Sequence, residues 1–239
     1  MPTTARTHFD QDIQRSLDLL LEAKRLEDNG NAAQLPKDIR GSAVALAAGA
    51  LDAYFCDKYV DCLTKALAAY SSNRWRGVFP AAFRKQSLPA GEVLDARRLS
   101  RPKWGIRMAA RKIMERDNMY SLSRLEDAFN GILPSGQKVW AGLISDLASL
   151  GKKRFTKYNS ADLKGKTGKA LDAARKKVAT TVRKRIAETV QFRHDWIHNC
   201  SRPKSAIVNY THSEATTAIQ EIKQFIEIFD DHIEAHRLA

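Results

Sequence analysis

The last part of the chain restricts the fold more than any other. Ile219, Ile222, Ile226, Phe229 and Ile233 follow one another at spacings of three, four, three and four. That period puts all five on one side of an α-helix, whereas a strand would scatter them over both faces. Thr211 and Glu214 stand ahead of the stripe, three residues apart. A hydroxyl and a carboxylate at that spacing cap a helix N-terminus reciprocally. The pattern predicts a helix from there to about His236. A helix that is apolar along one stripe must bury it against other elements, and here those elements also read as helices.

Residues 9–28 place Phe9, Ile13, Leu17, Leu20 and Leu21 on one helical face. Asn-Gly-Asn at 29–31 and Pro36 are expected to break the chain after it. A second long helix is expected from Asp38 to about Tyr70. It is rich in alanine, and Gly41 and Gly49 would let another helix approach closely. Residues 71–88 read as a loop with one helical turn. Short helices are expected at 90–99, 103–117, 123–132 and 137–150, with Ser123 and Glu126 at capping spacing for the third. After a connector at 159–168, residues 169–199 read as one long helix. Leu171, Val178, Val182, Ile186 and Val190 form its apolar stripe, and Pro203 ends it. No alternating strand pattern, internal repeat or low-complexity tract stands out. The fold class is therefore all-α. The expectation is one domain, a bundle of long helices at about 9–70 and 168–236 with a helical insert at about 71–158.

Charge says what such a bundle would meet. The chain of 239 residues carries a formal net charge of +13. Residues 74–116 hold a net +9 and residues 152–185 a net +11, while the remainder is net −7. Two concentrated basic segments point to a polyanion, and a nucleic-acid surface is expected. The candidate RNA contacts are Lys176, Lys177 and Arg183 in the second segment, and Arg107 and Arg111 in the first. The basic stretches lack the broad apolar face of a membrane-surface helix. The longest apolar run, residues 43–51, is far too short to span a bilayer. The N-terminus has no apolar core of a signal peptide. Cys56, Cys62 and Cys200 make an odd count without a CxxC spacing, which suits reduced thiols in a cytoplasmic protein. Membrane association is not expected.

The chemistry-bearing residues crowd into "RHDWIHNC" at 193–200. His194 and His198 share a helical face, but Asp195 stands where zinc-binding helices of the HExxH type carry glutamate. Arg193 would oppose a cation, and no third ligand suggests itself, so no metal or cofactor is expected. Arg193 and His198 lie about 140° apart around a helix axis and about 7.5 Å apart along it. Arginine clamps phosphate oxygens through its permanently charged fork, and histidine moves protons near neutral pH. That pairing suits cleavage of a phosphodiester by the RNA 2′-hydroxyl.

The stretch "IAETVQFRHDWIHNCSRP" resembles the signature of the HEPN superfamily, an arginine followed after four to six residues by a histidine. The polar residue after the arginine fits as His194. The order of a long helix, a short irregular segment and one more amphipathic helix is similar as well. "ALAAGALDAYFCDKYV" (45–60) resembles the early helix of stand-alone HEPN proteins, with Asp52 two residues before Tyr54, although glutamate is the commoner acid there. The resemblance covers about 9–70 and 168–236 and does not extend to 71–158.

It implies a HEPN-like four-helix bundle with the basic region inserted, and a homodimer in which two motifs meet. It also implies a metal-independent endoribonuclease acting in toxin–antitoxin or anti-phage defence. The substrate would be tRNA or mRNA, and a cognate antitoxin would be a further partner. Arg193 would stabilise the scissile phosphate and His198 would be acid or base. His194 would orient the arginine or the substrate, and Asp52 would orient Arg193. The alternatives are a non-catalytic HEPN-like module that binds RNA or nucleotides, and an all-α interaction protein. Each residue also has a plainer role. His194 can be an ordinary surface residue, Asp52 an ion-pair partner, and Trp196 and Ile197 core or interface. Tyr54, Phe55 and Tyr59 suit helix packing. Trp75 and Trp104 either stack on bases or bury themselves in the insert.

Overall fold

The computed structural model describes residues 3–30, 34–71, 80–84, 102–116, 122–149, 163–199 and 209–237. Among the described residues every regular element is helical. They are α1 (Thr4–Asp28), α2 (Gln34–Ser71), α3 (Ala81–Arg84), α4 (Pro102–Arg116), α5 (Leu122–Asn130), a 3-10 turn (Ser135–Gln137), α6 (Val139–Ser149), α7 (Gly168–Asn199) and α8 (His212–His236). No described helix is long and apolar enough to cross a membrane. The expected helix at 90–99 lies outside the described residues, as do Trp75, Cys200 and Pro203.

The start of α8 carries its expected signal. The Thr211 hydroxyl accepts from the Glu214 backbone N–H at 3.2 Å, and the Glu214 carboxylate accepts from the Thr211 N–H at 2.8 Å. Those bonds from Thr211 hold the Glu214 carboxyl below the usual carboxylate range. Pro36 differs from expectation. It lies in the first turn of α2, where its missing N–H costs nothing, so it starts the helix instead of breaking the chain before it. Helix α5 begins at Leu122, which puts Ser123 inside the first turn and not ahead of it. The connector before α7 turns through Gly165 and Gly168, whose positive φ of 76° and 51° favours glycine.

The chain forms two compact units. One comprises Met1–Thr7, Asp52–Val139 and Asp231–Ala239; the other comprises His8–Leu51 and Trp140–Asp230. Residues 52–71 of α2 thus group with the middle of the chain.

In the first unit, Tyr54, Phe55 and Tyr59 of α2 are buried with Phe83 and Phe129. Tyr59 meets Phe83 and Phe129 edge to face at 5.6 and 6.0 Å. Charges from several elements are buried beside them. Lys58 is 0% exposed and donates to the Glu234 carboxylate at 2.8 Å. Asp57 and Asp61 pair with Arg111 and Arg107 of α4. The His232 ring Nε2 lies 2.9 Å from the Gln137 carbonyl oxygen. Burial pushes the Cys62 thiol up to about 11 against the opposing charges of Lys58 and Arg237, which makes it unreactive.

In the second unit most of the predicted stripe residues are buried, while Leu17, Leu171 and Val190 are half-buried. Phe9, Ile13 and Leu20 of α1, Val178, Val182 and Ile186 of α7, and Ile219, Ile222, Ile226 and Phe229 of α8 all face its core. Ile233, the last residue of the α8 stripe, is buried in the first unit. Each such aliphatic side chain contributes about 1.5–3 kcal/mol by leaving water. Leu21 does not join them; it is 64% exposed, one step round α1 from Leu20. Buried Arg40 ties two segments together, pairing with Glu27 and donating to the Tyr210 carbonyl at 2.8 Å.

Candidate functional site

Helix α7 delivers "RHDWIHN" as its last two turns, within the second unit. The rotation of the helix is set further back. Ala174, Val178, Val182, Ile186, Thr189 and Phe192 are all buried, which turns the opposite side to solvent. Phe192 meets Tyr210 edge to face at 4.5 Å and carries Trp196 stacked on it at 5.9 Å. Trp196 in turn lies against Gly41 of α2, where a side chain would collide with its ring.

These contacts decide where the motif residues point. Arg193 is half-buried and turned towards α2. Its Nε lies 3.6 Å from the point where a methyl carbon on Gly49 would stand. His194 and His198 are exposed, and their rings are neighbours with centroids 4.6 Å apart. Asp195 accepts from the Gln191 amide at 3.0 Å, one turn back. Ile197 is 54% exposed. The structure therefore brings the two histidines together and turns Arg193 to a different side of the same helix. Asp52 is half-buried on α2 at the start of the first unit, whereas Arg193 belongs to the second.

An imidazole pair of this kind can pass protons to and from a ligand resting on the exposed face. Among the described residues no group of three or more His, Cys, Asp or Glu is arranged to hold a metal ion.

The candidate RNA contacts divide in two. Lys176, Lys177 and Arg183 are exposed along α7. Arg183 also lies over the Trp140 ring at 5.7 Å, and Trp140 is stacked on Phe225 at 6.0 Å. The pair in the first unit is engaged differently. Arg107 is half-buried in an ion pair with Asp61, and Arg111 is 3.3 Å from Asp57. Their charges are matched by carboxylates of α2, and they dock α4. Trp104, nearby on the same helix, is 51% exposed.

One polar cluster went unread in the sequence. Arg185 grips the Glu221 carboxylate with two nitrogens, at 2.7 and 3.1 Å. The pair lines a cavity of about 270 Å³ together with Thr189, Tyr210 and Ser213. Burial raises the Glu221 carboxyl, and Arg185 only partly offsets it. Arg185 and Glu221 are separated by 36 residues, so no local pattern pairs them. The only trace in the sequence is Glu221 beside Ile222, a charge at the edge of an apolar stripe.

No protein-family model, curated protein or solved structure matches the chain.

Proposed function

We propose that this protein is a metal-independent endoribonuclease of the HEPN type, working as a homodimer in a toxin–antitoxin or anti-phage setting. The observation that carries the reading is the pair of exposed imidazoles, His194 and His198, ring to ring at the end of a strongly basic helix and next to Arg193. One imidazole takes the proton of the RNA 2′-hydroxyl as its oxygen attacks phosphorus. The other, as imidazolium, gives a proton to the departing 5′-oxygen. The new O–P bond closes a 2′,3′-cyclic phosphate and the broken one leaves a 5′-hydroxyl, so one proton is taken and one returned.

The guanidinium of Arg193 suits the extra negative charge that builds on the phosphoryl oxygens. On its own helix Arg193 lies about 140° round from His198. A two-fold axis near the helix end answers that separation, because a second copy brings its own Arg193 and His198 to a shared groove. The test is cleavage of total cellular RNA by purified protein in excess EDTA. Wild type is expected to cut and His198→Ala to lose the activity. Equal cutting by both would assign it elsewhere.

A second reading, a module that binds RNA without cutting, is favoured by one observation. Arg193 packs towards Gly49 of α2, a position that suits helix packing as well as phosphate binding. It predicts RNA binding that weakens steeply with salt, and no cleavage.

A further inference from the structure

The exposed side of α7 carries more than the histidine pair. Taking Lys169 as the origin and 100° per residue, Lys176, Arg183, His194 and His198 all fall within about 60° of one another around the axis. All five are exposed. The opposite side holds the buried Val178, Val182 and Ile186, so packing fixes the rotation of the line. From Lys169 to His198 the line runs about 44 Å. Cations stand at its start and middle, and the two imidazoles stand at its end.

What lies between the cations identifies the ligand. The intervening positions on this side are Asp172, Ala173, Thr180, Ala187, Val190 and Gln191, with no aromatic and one carboxylate among them. Proteins that hold single strands stack successive bases on aromatic rings. The Trp140 ring, beside the line, is half-buried, with Phe225 stacked on it and Arg183 over it. Double-helical RNA is held in another way. Its wide, shallow minor groove offers 2′-hydroxyls and phosphates to charged and polar side chains, and its shape is read with little regard to base identity. A straight helix face with small side chains between long cations fits that surface.

We infer that the exposed face of α7, from Lys169 to His198, seats a double-helical RNA segment by its phosphates and presents the strand at its end to His194 and His198. The inference rests on the ribonuclease reading for the fate of that strand, but the seating is a binding property and is measured separately. The substrate class is then structured RNA with a stem, cut at a set distance from it.

The test uses the full chain carrying His198→Ala, so that RNA stays uncut, and two labelled RNAs of equal length and composition. One folds into a hairpin with a long stem and the other is unstructured. Anisotropy titrations are run over a range of salt, with and without Lys169→Gln and Lys176→Gln together, and with Lys24→Gln as an exposed control on α1. The hairpin is expected to bind about tenfold or more tightly than the unstructured strand. The double variant is expected to lower its salt slope by about 2, with the control unchanged. Equal or tighter binding of the unstructured strand would overturn the duplex assignment. An unchanged slope in the double variant would overturn the seating on α7. Cleavage by wild type is scored in parallel. Cutting that persists while the binding predictions fail sinks this inference alone. Selective hairpin binding by a protein that never cuts sinks the ribonuclease reading and leaves the seating intact.

Discussion

Trp196 of α7 lies against Gly41 of α2 so closely that a Cβ on residue 41 would come within 3.0 Å of three atoms of the indole ring. The ring has little freedom to move away, because Phe192 stacks on it. Gly49, two turns along α2, differs: a Cβ there would meet the Arg193 side chain at an ordinary 3.6 Å. The two glycines therefore respond oppositely to the same change. Gly49→Ala gains helix propensity of up to about 1 kcal/mol and keeps its neighbour. Gly41→Ala gains the same propensity but overpacks the crossing, a cost of about 1–3 kcal/mol. Urea denaturation is expected to rank the proteins Gly49→Ala, wild type, Gly41→Ala in falling stability. Equal stability of the two variants would contradict the close crossing.

That crossing was legible in the sequence, since two glycines in an alanine-rich helix invite a close neighbour. So were the buried stripe and N-terminal cap of α8, because both depend on residues three or four apart. The same local logic failed at Leu21, where two adjacent leucines cannot both face inward on a helix that buries Leu20. It also failed at Pro36, which local pattern reads equally as a break or as a first turn. What could not be read were pairings across the chain. Lys58 and Glu234 are 176 residues apart, and Arg107 and Asp61 are 46 apart. Arg107 and Arg111 look like free cations in a basic segment, and only the fold shows that carboxylates meet them. For the candidate site, the position of the histidine pair at a helix end was legible. The turn of Arg193 towards α2 follows from the packing of Phe192 and Trp196, which the motif does not record.

Arg107 with Asp61 and Arg111 with Asp57 join α4 to α2 through two charges on each helix, four residues apart on both. Asp61 is buried and Arg107 is partly so, which makes this the stronger pair. Arg107→Ala and Asp61→Ala are each expected to destabilise the protein. The double variant is expected to lose less than the sum, with a coupling of about 1–3 kcal/mol in a thermodynamic cycle. Arg111→Ala with Asp57→Ala is expected to show less coupling, because Arg111 is half in water. Strict additivity at Arg107 and Asp61 would mean that the pair does not hold α4.

Cleavage separates the motif residues by role. Loss of either imidazole, in His194→Ala or His198→Ala, is expected to lower the rate constant by about 10²–10⁴-fold if both transfer protons. If His194 only lies on the surface, its variant cuts like wild type while His198→Ala does not. Arg193→Lys keeps the charge and loses the fork, so it is expected to cut poorly while still binding RNA. Single-turnover assays with one defined RNA, on these three variants and on Arg193→Ala, distinguish these cases. Full activity in Arg193→Ala would remove arginine from the chemistry and assign it to packing on α2.

Glu234 shows how the buried Lys58 is tolerated. Burial alone would raise the Glu234 carboxyl, but the hydrogen bond and charge of Lys58, with Arg237 and Lys65, outweigh it and leave it lowered. A carboxyl that is lower in the folded state contributes stability above its unfolded pKa, and that contribution is lost as pH falls through the folded value. The loss therefore begins below the ordinary glutamate value of 4.5. Glu221 works in the opposite sense, because burial raises it, and its ionisation weakens the folded state as pH rises above the same 4.5. Removing one partner of a buried ion pair costs about 3–5 kcal/mol, and Glu234→Gln is expected near 3 kcal/mol at neutral pH because its side chain stays about a third exposed. The difference between wild type and Glu234→Gln, followed by urea denaturation from pH 7 down to pH 3, is expected to shrink below pH 4.5. A difference that stays constant over that range would mean that Lys58 does not depend on the ionised carboxylate.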